Sequence, residues 1–186
     1  MKFPILIACL ALLPAPAHSV EILDNVESER VAIDAPKATI LQRSVTCMAA
    51  LFRYDMVKGS DTSRSVVIGE TYVPLGTTQY AGGGNVVEHV DEQNGIVVGN
   101  NRFLMPGLFG DYVQSRVIVR AEDGAFSTTH VQIQRMAQQS GLMENSGFGP
   151  VLVQKMSGHA KVRKALLDVS AQLGRCIAER ESQKAQ

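Results

Sequence analysis

Apolar residues recur near the end of the chain at Val162, Leu166, Val169, Leu173 and Cys176, with spacings of four, three, four and three. On a 3.6-residue helix these positions form one continuous stripe. The pattern predicts a long helix from Ser157, its N-cap, to about Glu181. Lys161, Arg163, Lys164, Gln172, Arg175, Glu179 and Arg180 take up most of the remaining surface, so the helix covers something instead of threading a core. A second amphipathic run, about Pro36 to Tyr54, sets Ile40, Leu41, Ser44, Val45, Met48, Leu51 and Phe52 on one face with Cys47 at its border. Asp34 is its candidate N-cap, and Pro36 is tolerated in the first turn.

Between these helices the period falls to two. Val86 to Val90 and Ile96 to Gly99 read as strands around an Asn94-Gly95 turn, the second running on toward Met105 until Pro106 and Gly107 stop it. Tyr112 to Ala121 alternates, with Val113, Ser115, Val117 and Val119 on one face and Gln114, Arg116, Ile118 and Arg120 on the other. Glu122-Asp123-Gly124 turns the chain, and Ala125 to Arg135 returns. There Val131 and Ile133 are expected toward the Val-rich face, and Phe126, Thr128 and His130 on the opposite one. Gly59 to Gly84 is heavily punctuated by Gly and Pro and reads as loop or irregular edge, apart from a short strand at Val66-Val67-Ile68. Met136 to Pro150 reads as a loop with one helical turn around Gln138, and Val20 to Ile33 as a mobile lead-in or a strand. The fold class is α+β: an antiparallel meander of about four to five strands, covered on one face by an N-terminal and a long C-terminal helix. A helix-grip arrangement, with an apolar cavity between sheet and helix, is the alternative.

Composition adds compartment and excludes some partners. Lys2, the apolar run Phe3 to Leu13 and the small residues and breakers to Ser19 form a signal peptide, residues 1–19. That run is too short to span a bilayer, which needs ~20 residues. Cys9 in Leu6-Ile7-Ala8-Cys9 has the order of a lipoprotein cleavage site but comes too early for a full apolar region ahead of it. The chain then divides into a lead-in at 20–35, a single α+β domain at 36–182 and a tail at 183–186, and the exported product is expected in the periplasm or outside the cell. Eighteen basic residues balance eighteen acidic ones with no long run of either sign. This argues against nucleic acid and against a membrane-surface helix. The mature chain carries Cys47 and Cys176. In an oxidising compartment an intramolecular disulfide is the simplest reading, against two separately buried thiols or a metal site without nearby partners.

No catalytic motif stands out. His89 and His130 on a solvent-facing sheet surface, with Glu88 or Glu92 nearby, are the one conceivable zinc pair, without the spacing of a known site. His159 has no Ser or Cys partner that the sequence places. Ser157 and Lys161 are four apart, not the three of Ser-x-x-Lys acyltransferases, and Gly82-Gly83-Gly84 and Gly147-Phe148-Gly149 lack the strand-then-helix context of a phosphate loop. We expect no catalytic residues, no cofactor and no metal. The cluster to watch for ligand contact is Arg116 and Arg120 with Tyr112, Phe126 and His130, because guanidinium groups beside aromatics grip carboxylates, phosphates or sugars.

The helix around Cys47, the segment Val86-Val87 through Gly95-Ile96-Val97-Val98-Gly99, and Val117-Ile118-Val119-Arg120-Ala121-Glu122-Asp123-Gly124-Ala125-Phe126 together resemble an exported bacterial family of unknown function. Its fold is like half of the TATA-box-binding protein. The resemblance covers about Ala38 to Ile133, and the chain departs from it in Gly59 to Gly84 and at Ala125. It implies no catalytic residues, and it does not imply DNA binding, since the basic surface with aromatic wedges is missing. The functional expectation is an exported, non-catalytic module that binds an envelope protein or small ligand. A helix-grip carrier of apolar ligands and a small hydrolase using His89 or His130 are the rivals.

Overall fold

The computed structural model describes residues 20–61, 65–68, 71–74, 77–81, 83–105, 110–137, 139–140, 143–144 and 147–179. Residues 1–19, expected as a signal peptide, residues 183–186, expected as a tail, and Gln138, around which a helical turn is expected, lie outside these. In chain order the elements are β1 (Asn25–Glu27), β2 (Val31–Ala32), α1 (Lys37–Leu51), β3 (Val57–Asp61), β4 (Ser65–Ile68), β5 (Thr71–Pro74), β6 (Thr77–Ala81) and β7 (Val87–Asp91). They continue as β8 (Ile96–Met105), β9 (Asp111–Glu122), β10 (Ala125–Ala137), β11 (Gln139–Ser140), β12 (Met143–Glu144), β13 (Gly149–Pro150) and α2 (His159–Glu179). The fold is α+β. A seven-stranded antiparallel sheet runs β1-β10-β9-β8-β7, with β2 and β13 also paired to β10, and both helices pack on one of its faces. No helix among the described residues is long and apolar enough to cross a membrane.

The sheet has more strands than the alternation predicts, because β1, β2 and β13 are two or three residues long and too short to show a period. Of the two readings of the lead-in, the strand is the one found: Val26 pairs with His130 and is buried. The loop expected over Gly59 to Gly84 is corrected to two nested ribbons, β3 with β6 and β4 with β5, the latter holding Val66-Val67-Ile68. Gly59 and Pro74 fall inside β3 and β5, where they count against a strand reading, and β3 and β6 carry few apolar residues. Within Met136 to Pro150, likewise expected as loop, β11 pairs with β12 and β13 joins the sheet.

Register decides which side chains the helices cover. Ala125 pairs with Glu122 and Phe126 with Ala121, so the hairpin turn is the two residues Asp123-Gly124, with Gly124 at φ 79°. Ala121 faces the helices, and its partner Phe126 must therefore do the same. Thr128 and His130 follow at a period of two, and all three are buried. This corrects the expectation that Phe126, Thr128 and His130 face solvent. That phase came from Val131 and Ile133, but a bulge intervenes: the register shifts between Val131 and Gln134. The extra residue turns Ile133 inward while Val131 stays on the other face.

On α2 the buried positions are Val162, Leu166, Ser170, Leu173, Gly174 and Ile177, with Val169 and Cys176 half-buried at the margin. The stripe keeps Val162, Leu166 and Leu173 of the sequence reading and moves by one position at Val169, to Ser170, and at Cys176, to Ile177. On α1 the buried residues are Ile40, Leu41, Ser44, Cys47 and Met48, while Leu51 at the last turn is exposed. Each buried aliphatic removed from water contributes roughly 1.5–3 kcal/mol. Gly99 lets α1 come close to β8, since a Cβ there would stand 2.7 Å from the Val86 carbonyl oxygen and 3.1 Å from Met48 Sδ. Pro36, not Asp34, is the N-cap of α1 and makes no side-chain cap bond. The carboxylate of Asp123 in the distant hairpin accepts from Lys37 N at 2.8 Å instead.

Cys47 and Cys176 form a disulfide, with Cα atoms 5.9 Å apart, joining α1 to the last turn of α2 across 129 residues. By loop-closure entropy a bridge of this span contributes about 4 to 5 kcal/mol.

Candidate functional site

The alternation that buries Val113, Val117 and Val119 sends Asn100, Arg102, Gln114, Arg116 and Gln134 to the face away from the helices. Arg102, Gln114 and Gln134 lie in one row across β8, β9 and β10, and Asn100 sits opposite Arg116 in another. Asn100, Gln114, Arg116 and Gln134, with Tyr54, Asp24, Gln132 and Pro150, surround an open concavity of about 540 Å³, and Arg102 stands behind Gln114 outside its lining. Gln132 occupies the bulge with φ 52°. A left-handed conformation in a residue with a Cβ costs roughly 1–2 kcal/mol and points to a side chain re-aimed at a site.

Arg102 organises this row. Its main-chain N–H donates to the Arg53 carbonyl, which ties the chain leaving α1 to the β8 edge. Its side chain is buried, with the guanidinium carbon 4.9 Å from the Tyr54 ring centre and 4.7 Å from that of Phe148. Nη1 donates to the Asp55 carbonyl at 2.5 Å, and Nε and Nη2 both donate to Gln114 Oε1, at 3.2 and 2.5 Å. Burial lowers the guanidinium pKa from its ordinary value, and Tyr54 and Tyr112 push it back up. An arginine has donors only. Gln114 must therefore present its oxygen to Arg102, so its Nε2 donates to Gln134 Oε1 at 2.5 Å. The amide orientations follow from that chain, and Gln134, at its end, lines the concavity with its Nε2 not used in the chain.

The residues expected to form one contact cluster are not brought together. Tyr112, Arg116 and Arg120 share the open face of β9 but lie four residues apart, roughly 14 Å along the strand. Arg116 borders the polar concavity and pairs with Glu88 at 2.9 Å. Tyr112 borders a separate hollow of about 530 Å³ beside Leu51, Met56, Phe103 and Leu104. Arg120 is exposed beside the hairpin, and Phe126 and His130 are on the covered face. His89, on the edge strand β7, is separated from His130 by two strands and the thickness of the sheet, so the two do not face each other. Among the described residues no group of three His, Cys, Asp or Glu side chains is arranged to hold a metal.

The sequence reading missed what His130 does. It bridges β9 and α2: Nδ1 lies 2.9 Å from Ser115 Oγ and Nε2 2.9 Å from Ser170 Oγ, all three residues buried. The neutral ring donates from one nitrogen and accepts at the other, so either tautomer joins both serines. Burial pushes the His130 pKa down to about 4. A Ser–His contact is a nucleophile–base arrangement only where substrate can reach it, and this one is sealed between sheet and helix. The signal in the sequence was Ser170, the one polar residue within the apolar stripe of α2. A second pair, Ser157 Oγ and His159 Nδ1 at 3.0 Å, lies at the entry to α2, where Ser157 Oγ also donates to the Gln154 carbonyl. The residue flanking the helix is Gly158, whose carbonyl accepts from Lys161 and Val162, and not Ser157 as expected.

No protein-family model and no curated protein matches the chain. Among solved structures, a DUF4468 family protein from Bacteroides ovatus is similar at a TM-score of 0.47 and 12% identity, over 87% of this chain and 89% of that one.

Proposed function

We propose that this protein is an exported, non-catalytic module of the periplasm that holds a polar ligand on the open face of its sheet. The observation that carries this reading is the Arg102–Gln114–Gln134 row, in which a buried, aromatic-clamped cation orients two amides toward a concavity. Such groups are costly to arrange for stability alone, since a solvated strand face serves as well. Export is supported by the Lys2 to Ser19 pattern and by a disulfide that suits an oxidising compartment. In this reading residues 20–35 belong to the same domain as 36–182. The order of helix, antiparallel meander and closing helix supports the kinship with half of the TATA-box-binding protein.

The helix-grip alternative has less support. The space between α2 and the sheet is occupied by Val162, Leu166, Leu173 and Ile177, and the Ser115–His130–Ser170 chain crosses it where an apolar ligand would lie.

Native mass measurement on protein recovered from the periplasm tests the proposal. The expected result is a chain starting at His18 or Val20, two hydrogens light, carrying an extra mass that is lost in the Gln114→Ala/Gln134→Ala variant. Retention of the extra mass in that variant, or recovery of a chain with its first nineteen residues intact, overturns it.

A further inference from the structure

We infer that the open-face concavity takes a neutral, hydroxyl-rich ligand, a short oligosaccharide bearing N-acetyl groups, with Gln134 Nε2 donating to an acetyl carbonyl. This rests on the reading of the open face as a binding surface and names the class of its ligand. Charge argues first. The Arg116 guanidinium is matched by Glu88 at 2.9 Å, and that of Arg102 is taken up by Gln114, the Asp55 carbonyl and two aromatic rings. Asp24 adds a negative charge at the wall. A phosphate or carboxylate would be entering a site whose cations are already engaged.

Hydrogen-bonding capacity argues next. Gln134, Gln132 and Asn100 are amides, which donate and accept from one group as a hydroxyl array requires. The relay from Arg102 polarises Gln134 as a donor, so its best partner is a strong neutral acceptor, which an acetamido carbonyl is. Backbone placement then separates a saccharide from an extended peptide. The floor of the concavity lies on β9 and β10, interior strands with a neighbour on each side, and only the bulge at Gln132 and Ile133 interrupts their ladders. A peptide added as a strand needs a continuous unpaired edge, so recognition here falls mainly to side chains. Tyr54 and Pro150 supply the apolar wall against which the CH face of a sugar ring packs. The volume, about 540 Å³, falls within the range of small-ligand clefts.

The test is a titration of nitrogen-15-labelled protein with chitotriose, trialanine and citrate, followed through the side-chain amide signals of Asn100, Gln132 and Gln134. Chitotriose should shift these signals saturably and the other two should not. Gln134→Glu retains the oxygen that accepts from Gln114 but replaces the donor with an anion, and it should weaken chitotriose binding at least tenfold while leaving the backbone spectrum folded. Shifts at these residues by citrate or trialanine, without chitotriose, overturn the ligand class and leave the binding surface standing. Shifts confined to other regions, or none with any probe, overturn the ligand class too. Ligand mass that survives the Gln114→Ala/Gln134→Ala change would remove the binding surface itself.

Discussion

Strand β9 shows two different uses of polar residues on its two faces. Toward the helices, Ser115 is buried, and its hydroxyl meets His130, which in turn meets Ser170. Every buried polar side-chain atom described has a partner. Toward the other side, Gln114 passes the orientation imposed by Arg102 on to Gln134, whose amide nitrogen still has donors to give. A closed chain of hydrogen bonds stabilises, because an unmade bond in a dry interior costs about 1–3 kcal/mol. An open-ended chain at a wet surface adds little to stability and is suited to recognition. In the proposed reading, stability belongs to one face and binding to the other.

Five predictions press on that division, from the largest expected effect to the smallest. Replacing both Cys47 and Cys176 with Ser should lower the unfolding free energy by about 4 to 5 kcal/mol, measured by denaturant titration. A loss below about 1 kcal/mol would mean that packing alone seats α2.

His130→Ala leaves a cavity and two unpaired serines, and should cost about 3 kcal/mol or more. The same residue sets a pH dependence. Its folded pKa, about 4, is below the ordinary value of 6.5, so between these the unfolded chain binds the extra proton. Stability is therefore fully present above pH ~6.5 and falls as pH drops toward ~4, by about 3 kcal/mol in all. His130→Gln should flatten that slope, and a slope unchanged by the substitution would place the titration elsewhere.

Gly174 faces Phe126, and a Cβ there would rest at 3.8 Å, ordinary contact. Gly174→Ala should stabilise α2 by up to about 1 kcal/mol, read as a rise in Tm. Gln134→Ala, on the other face, should change the unfolding free energy by less than about 0.5 kcal/mol.

How much of this was legible in the sequence depended on signal length. The stripe from Val162 to Leu173 spans three turns, and the β9 alternation runs over ten residues, so helix, strand and faces were readable. The pairing of Cys47 with Cys176 followed from two cysteines beside two apolar faces. The phase of β10 was not readable, because a single inserted residue near Gln132 reverses the alternation and leaves no compositional mark. Of the nested ribbons between Val57 and Ala81 only Val66-Val67-Ile68 carried a strand signal, and β3 and β6 had few apolar residues to announce them. The site was the least legible part. Arg116 was visible as a basic residue on an open strand, but Arg102 draws its clamp from Tyr54 and Phe148, which are distant in the chain, and only the fold brings them together.

The most direct test of the division is the unfolding free energy of Gln134→Ala and Ser170→Ala, each measured with and without chitotriose. A ligand that binds only the folded chain raises stability by RT ln(1 + [L]/Kd). Gln134→Ala should unfold like the wild type and gain nothing from the saccharide. Ser170→Ala should be less stable by about 1–3 kcal/mol and gain as much as the wild type does. If Ser170→Ala lost the gain, or Gln134→Ala kept it, the two faces would not be divided as described.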